Sequence, residues 1–143
     1  MAYGTANVDV IQSSTAGTPV QFNDGNGTQV GTLCRAWVNF NGLSGASPVI
    51  RASFNVSSVV RSATGDYTVN FTNALSDSNY SVCGSCLGGS SSGSNYVLFG
   101  GKNANTTNTQ TTSAVQITTA YVASTGGVGG LIDHPVISVS VFR

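Results

Sequence analysis

Apolar and polar residues alternate along most of this chain with a period of two. The clearest runs are Cys34-Arg35-Ala36-Trp37-Val38-Asn39-Phe40-Asn41, Ile50-Arg51-Ala52-Ser53-Phe54-Asn55-Val56 and Asp66-Tyr67-Thr68-Val69-Asn70-Phe71. An extended backbone points successive side chains to opposite faces, so each run predicts a strand with one buried face. Together the three hold the only Trp and three of the six Phe residues, and are expected to form the hydrophobic centre.

Further strands are predicted at Tyr80–Cys83, Tyr96–Gly100, Ser113–Val122 and Pro135–Arg143, with a short edge strand over Ser57–Ser62. Turn formers separate them at intervals typical of a sandwich or barrel, and no helical period exceeds about one turn. Residues 1–33 have another texture. Ala6–Ile11, Pro19–Phe22 and Thr28–Leu33 are short strand candidates, and Asp24-Gly25-Asn26-Gly27 is a hairpin signal, because these pairs tolerate the positive φ of a type I′ turn. Such a segment has too little apolar surface to offset its own ordering entropy, so it is expected to lie against something else. The expectation is an all-β chain: an N-terminal extended arm, 1–33, and an antiparallel β-sandwich of jelly-roll type, 34–143.

Charge alters this picture by its scarcity. Charged residues are 7% of the chain, with no Glu, one Lys, and five basic residues against five acidic. A neutral balance lacks the attraction that non-specific nucleic-acid or anionic-membrane binding needs. No apolar run reaches the roughly 18 residues of a membrane-spanning helix, and the opening Met1-Ala2-Tyr3-Gly4-Thr5 lacks a secretory pattern. Nucleic acid and membrane insertion are therefore not expected.

The residues of chemical interest are few. Cys83-Gly84-Ser85-Cys86 has the spacing of half a zinc site, but only Cys34 and His134 remain to complete four ligands, so Cys83 and Cys86 are weak metal candidates and no cofactor is expected. Three Cys also preclude a complete internal disulfide framework. Asp133-His134 has two members of a triad without a G-x-S-x-G nucleophile, and Asp24, Asp66 and Asp77 sit in turns where a carboxylate bonds local backbone. The reading is a non-enzyme. His134 is expected as a satisfied loop residue or, in an oligomer, a ring of imidazoles at the axis. Five sequons, such as Asn55-Val56-Ser57, reflect a composition rich in Asn, Ser and Thr.

The run Cys34–Gly42, then Ile50–Val59, then Thr64–Phe71 resembles the C-terminal domain of tail-fibre proteins of tailed bacteriophages, especially those infecting cyanobacteria and other aquatic bacteria. The final Ser138-Val139-Ser140-Val141-Phe142-Arg143 resembles the end of that family. Val8-Asp9-Val10-Ile11-Gln12 is similar to the opening of short virion-fibre proteins. The resemblance implies a homotrimer displayed on the virion, assembled in the host cytoplasm, with loops that contact host surface glycans without cleaving them, and with other virion proteins as partners of the arm. A capsid decoration, head-fibre or tail-joint role without a ligand is the alternative. It offers no fixed binding motif. Loops on a rigid scaffold carry recognition, so Ser92, Asn95 and Tyr96 of one polar loop, and Asn103 and Asn105 of another, are the expected ligand contacts, with Tyr96 the aromatic for a sugar ring.

Overall fold

The computed structural model describes residues 8, 10–12, 14, 20, 22–23, 25–88, 96–101, 110–122 and 129–143. The chain divides into two compact units, Met1–Leu33 and Cys34–Arg143.

In the first unit, β1 (Phe22–Asn23) pairs antiparallel with β2 (Gln29–Gly31), Phe22 opposite Gly31. The connection is the Gly/Asn turn expected from the sequence, with Gly27 at φ 83°. Val8, Val10 and Ile11 lie outside any strand and are exposed, so the strand expected at Ala6–Ile11 is absent from its described residues.

Among its described residues the second unit has nine strands in two antiparallel sheets. The four-stranded sheet has the order β4 (Val49–Phe54), β3 (Cys34–Asn41), β11 (Val136–Phe142), β7 (Ser81–Leu87). The other runs from β5 (Val56–Ala63) through β6 (Asp66–Phe71) to β9 (Ala114–Val122). One edge of β9 carries β6 and then β10 (Gly130–Leu131), in line, while β8 (Tyr96–Gly101) occupies the other edge.

Alternation explains how the sheets meet. Ala36, Val38 and Phe40 of β3, with Ile137, Val139 and Val141 of β11, face Val59 of β5, Tyr67, Val69 and Phe71 of β6, and Val115 and Ile117 of β9 in one buried core. Phe40 and Tyr67 meet across it edge-on, with ring centroids 5.2 Å apart. Each fully buried Val, Ile or Phe among them contributes about 1.5–3 kcal/mol by leaving water. Toward the edge, the Phe99 ring of β8 sits directly over Gly84 of β7, where any Cβ would collide with it.

Several expectations need correction. The order is not that of a jelly roll, in which successive strands mostly alternate between sheets. Here β3 and β4, β5 and β6, and β8 and β9 are neighbours within one sheet, and Thr64-Gly65 turns β5 directly into β6. The run Ile50–Val56 is not one strand: Asn55 takes φ 55°, its amide donates to the carbonyls of Arg35 and Asn73, and the chain crosses there to the other sheet. Asn is one of the few residues that adopt this left-handed conformation readily. Nor is β4 part of the hydrophobic centre, because most of it is exposed. Trp37 lies between buried Ala36 and Val38 and so faces outward. Ser57–Ser62 belongs to a full eight-residue strand, β5, although it does lie at a sheet edge.

Candidate functional site

Ser92, Asn95, Asn103 and Asn105 lie outside the described residues. Tyr96 is the first residue of β8, opposite Val122, and its side chain also lies outside them. The strand ends that carry the two nominated loops are described. One loop adjoins Tyr96 and the other follows Gly101, at opposite ends of β8, which are about 17 Å apart at the rise of an extended chain.

A cleft of about 250 Å³ opens beside Gly101, lined also by Tyr80, Val82, Gln110, Val115 and Gln116. Its rim is built from bonds between segments some thirty residues apart in the chain. Tyr80 donates to the carbonyls of Thr111 and Ala114 at 3.0 and 2.9 Å, and Gln110 Nε2 donates to the Tyr80 carbonyl at 2.9 Å. Burial pushes the Tyr80 phenol up to about 12, so it stays a neutral donor at physiological pH. With the Tyr80 proton already given to backbone carbonyls, the polar lining the cleft presents to a hydroxyl-bearing ligand is the Gln110 and Gln116 amides, beside apolar Val82 and Val115.

The Cys pair is placed by strand geometry. Both residues lie inside β7, which runs on through Leu87. Three positions apart on a strand, they face opposite ways: Cys86 packs against the core, where burial raises its thiol pKa, and Cys83 is exposed. Two thiols so directed cannot close on one metal ion. Among the described residues no group of three or more His, Cys, Asp or Glu is placed to hold one.

Asp133 and His134 do not act on each other. Asp133 Oδ1 accepts from Tyr67 Oη at 2.6 Å, Gly65 N at 2.8 Å and Arg61 Nε at 3.0 Å, and Oδ2 takes Arg61 Nη2 at 2.7 Å. Burial opposes its charge, but the Arg61 guanidinium, the Gly65 amide and the Tyr67 hydroxyl together hold the carboxyl below its usual range. Tyr67 is driven far the other way, first by burial and then by the anionic acceptor. His134 is 2% exposed, and neither ring nitrogen has a hydrogen-bond partner. The satisfied loop His expected from the sequence is thus corrected, and so is a ring of imidazoles at an axis, since this side chain is sealed within a single chain.

What the sequence reading missed is the outer face of the four-stranded sheet. Trp37 and Phe54 are register partners on β3 and β4, and stand 38% and 56% exposed. Beside them, Asn39 Nδ2 donates to Ser138 Oγ at 2.8 Å, and Arg51 Nη1 to Asn39 Oδ1 at 3.4 Å. The outer face of the other sheet, by contrast, is mostly polar, as in the Asn70 to Ser58 bond. Strict alternation carried the signal: Trp37 is out of phase with Ala36, Val38 and Phe40.

Comparison of the chain with protein-family models, with curated proteins and with solved structures returned no match, so the functional reading rests on the sequence resemblance and this geometry.

Proposed function

We propose that this chain is a bacteriophage receptor-binding protein of the tail-fibre kind. Cys34–Arg143 is a homotrimeric β-sandwich that holds a host surface glycan without cleaving it, and Met1–Leu33 is the arm that attaches it to other virion proteins. The observation that carries the reading is how the charged groups are used. Asp133 and Asp77 are each committed to an Arg fork, so neither is available as a general acid or base, while exposed aromatic and neutral polar side chains cover the four-stranded sheet. That inventory suits binding better than bond cleavage.

Trimerisation is supported by a cluster of exposed side chains at one end of the unit. Leu43 follows β3, Val49 opens β4, Leu87 ends β7 and Leu131 lies on β10, all at the end where β3 gives way to its loop. With so few charges to keep such side chains apart, copies gathered about an axis there would cover them.

Light scattering on the purified full-length chain should give three times the 14.5 kDa chain mass, and antibody labelling of intact particles should mark the tail. A monomer at micromolar concentration overturns the trimer, and labelling spread over the capsid overturns the tail assignment in favour of a decoration protein.

A further inference from the structure

The outer face of the four-stranded sheet carries an unusual pairing of chemistry. Trp37 and Asn39 alternate outward along β3, Arg35 lies at the β-bulge two residues before Trp37, and Arg51 reaches across from β4 to Asn39 Oδ1 and, at 2.6 Å, to the Pro135 carbonyl. Next to Trp37 on β11 is Ser140, and beyond it Cys83 on β7. The neighbouring row is Ala52, Asn39, Ser138 and Ser85. Small side chains thus leave the Trp37 and Phe54 rings standing beside a low shelf of amide and hydroxyl groups.

The charges single this face out. Of the four arginines, Arg61 and Arg143 are paired with Asp133 and Asp77. The other two are both here: among the described residues Arg51 bonds only neutral oxygens, and the Arg35 side chain has no hydrogen bond or ion pair. No strand of this sheet contains an acidic residue. Arg35 and Arg51 flank Trp37, with Arg35 about 13 Å along β3 from the Asn39 that Arg51 contacts. The face therefore presents two cations, a central indole and neutral hydrogen-bonding groups.

We propose that this face binds an acidic saccharide, a glycan bearing sugar carboxylates. The C–H face of one ring stacks on Trp37 with Phe54 beside it, hydroxyls meet Asn39 and Ser138, and a carboxylate is held by the guanidinium fork of Arg35 or Arg51. Planar, bidentate recognition of a carboxylate is what an arginine with uncommitted N–H groups supplies. A second copy of this unit fits the face poorly. It would bring arginine against arginine, and among its described carboxylates Asp77 and Asp133 are paired and Asp66 is buried. This inference rests on the glycan-binding reading above, and names the ligand class and a site for it on the sheet face.

The chain's single Trp makes the site self-reporting. Full-length protein is titrated with trigalacturonate, with 3′-sialyllactose, and with neutral maltotriose, following indole fluorescence. A saturable change with at least one acidic probe is expected, at least tenfold tighter than with maltotriose. Arg35→Gln, which breaks no side-chain bond among the described residues, should lose about tenfold in affinity while keeping the parent's oligomeric mass. Trp37→Ala, followed by calorimetry, should abolish binding. No response to either acidic probe, or equal binding of maltotriose, overturns the proposal. So does equal binding of a single-stranded DNA of matched charge. If Arg35→Gln or Trp37→Ala changes the oligomeric mass, the face is a contact between copies and the proposal falls. If the acidic probes fail while the protein still blocks phage adsorption to host cells, the adhesin reading stands and only this site is lost.

Discussion

Asp133 grips Arg61 with both carboxylate oxygens, Nε lying 3.0 and 2.9 Å from Oδ1 and Oδ2 and Nη2 lying 2.7 Å from Oδ2. The same carboxylate takes the Gly65 amide and the Tyr67 hydroxyl, so one side chain fastens the β5–β6 turn to the segment preceding β11. Gly65 itself sits at φ 64°, against the Thr119 carbonyl, where a side chain has no room. Asp133→Ala would leave the Gly65 amide without its acceptor and take from the Tyr67 hydroxyl its short 2.6 Å bond, leaving the Gly42 carbonyl at 3.4 Å. The expected loss is about 2 kcal/mol, read as a lower urea midpoint at unchanged slope.

Acid should find the same joint. The Asp133 carboxyl has a lower pKa folded than unfolded, so its contribution is full above the unfolded value of about 4 and disappears as pH falls through the folded one. Asp77, held by Arg143 and the Asn79 amide, acts in the same direction. The carboxylate contribution should fall away below about pH 5, and in Asp133→Asn the fall there should be smaller.

On the alkaline side the sign reverses. Burial raises both Tyr67 and Tyr80, the latter to about 12, so the unfolded chain gives up phenolic protons first. Stability should decline from about pH 9 upward, the Cys86 thiol, also raised by burial, contributing first and the phenols above about pH 10. Tyr80→Phe, whatever it costs at neutrality, should show a shallower decline in a denaturation series between about pH 9 and 12.

Gly84→Ala should place a methyl group into the Phe99 ring and force the two sheets apart at that edge. Overpacking of this kind costs roughly 1–3 kcal/mol, and pairing the change with Phe99→Leu should recover part of it. A thermal melt of the single and double variants checks the coupling.

The thiols should react in an order set by their faces. Cys83, exposed on the outer side, should be alkylated by iodoacetamide well before Cys86, whose sulfur faces the core with a raised pKa. Mass spectrometry of peptides at timed quenches distinguishes them, and equal rates would contradict the placement of Cys86.

Much of the fold was legible because β3, β6, β9 and β11 keep one strongly apolar phase, and a period of two then fixes both the strand and its buried face. Trp37 and β4 were misread for the same reason in reverse. When both phases carry large apolar side chains, as with Phe40 and Trp37 on one strand, residue type alone does not say which side is inward. The break at Asn55 gave no hydrophobic signal, since the apolar pattern resumes at Val56 after the chain has changed sheets. Pairings such as β7 with β11 and β6 with β9 join segments far apart in sequence, and local pattern holds no information about them. For the ligand site, sequence reasoning pointed to loops because loops vary freely, whereas the cation–aromatic face exists only once β3 and β4 are laid side by side.

Cys34 lies opposite Phe142 where β3 meets β11, so the first and last strands of the unit leave it next to one another. Tension between these two ends would unzip the β3–β11 ladder rung by rung, the weakest way to load a sheet. Tension between Cys34 and the far end of the fold would instead shear every rung that β3 makes with β4 and β11 at once. The unit is therefore mechanically polar, yielding when drawn by both tails and resisting when hung from Cys34 alone.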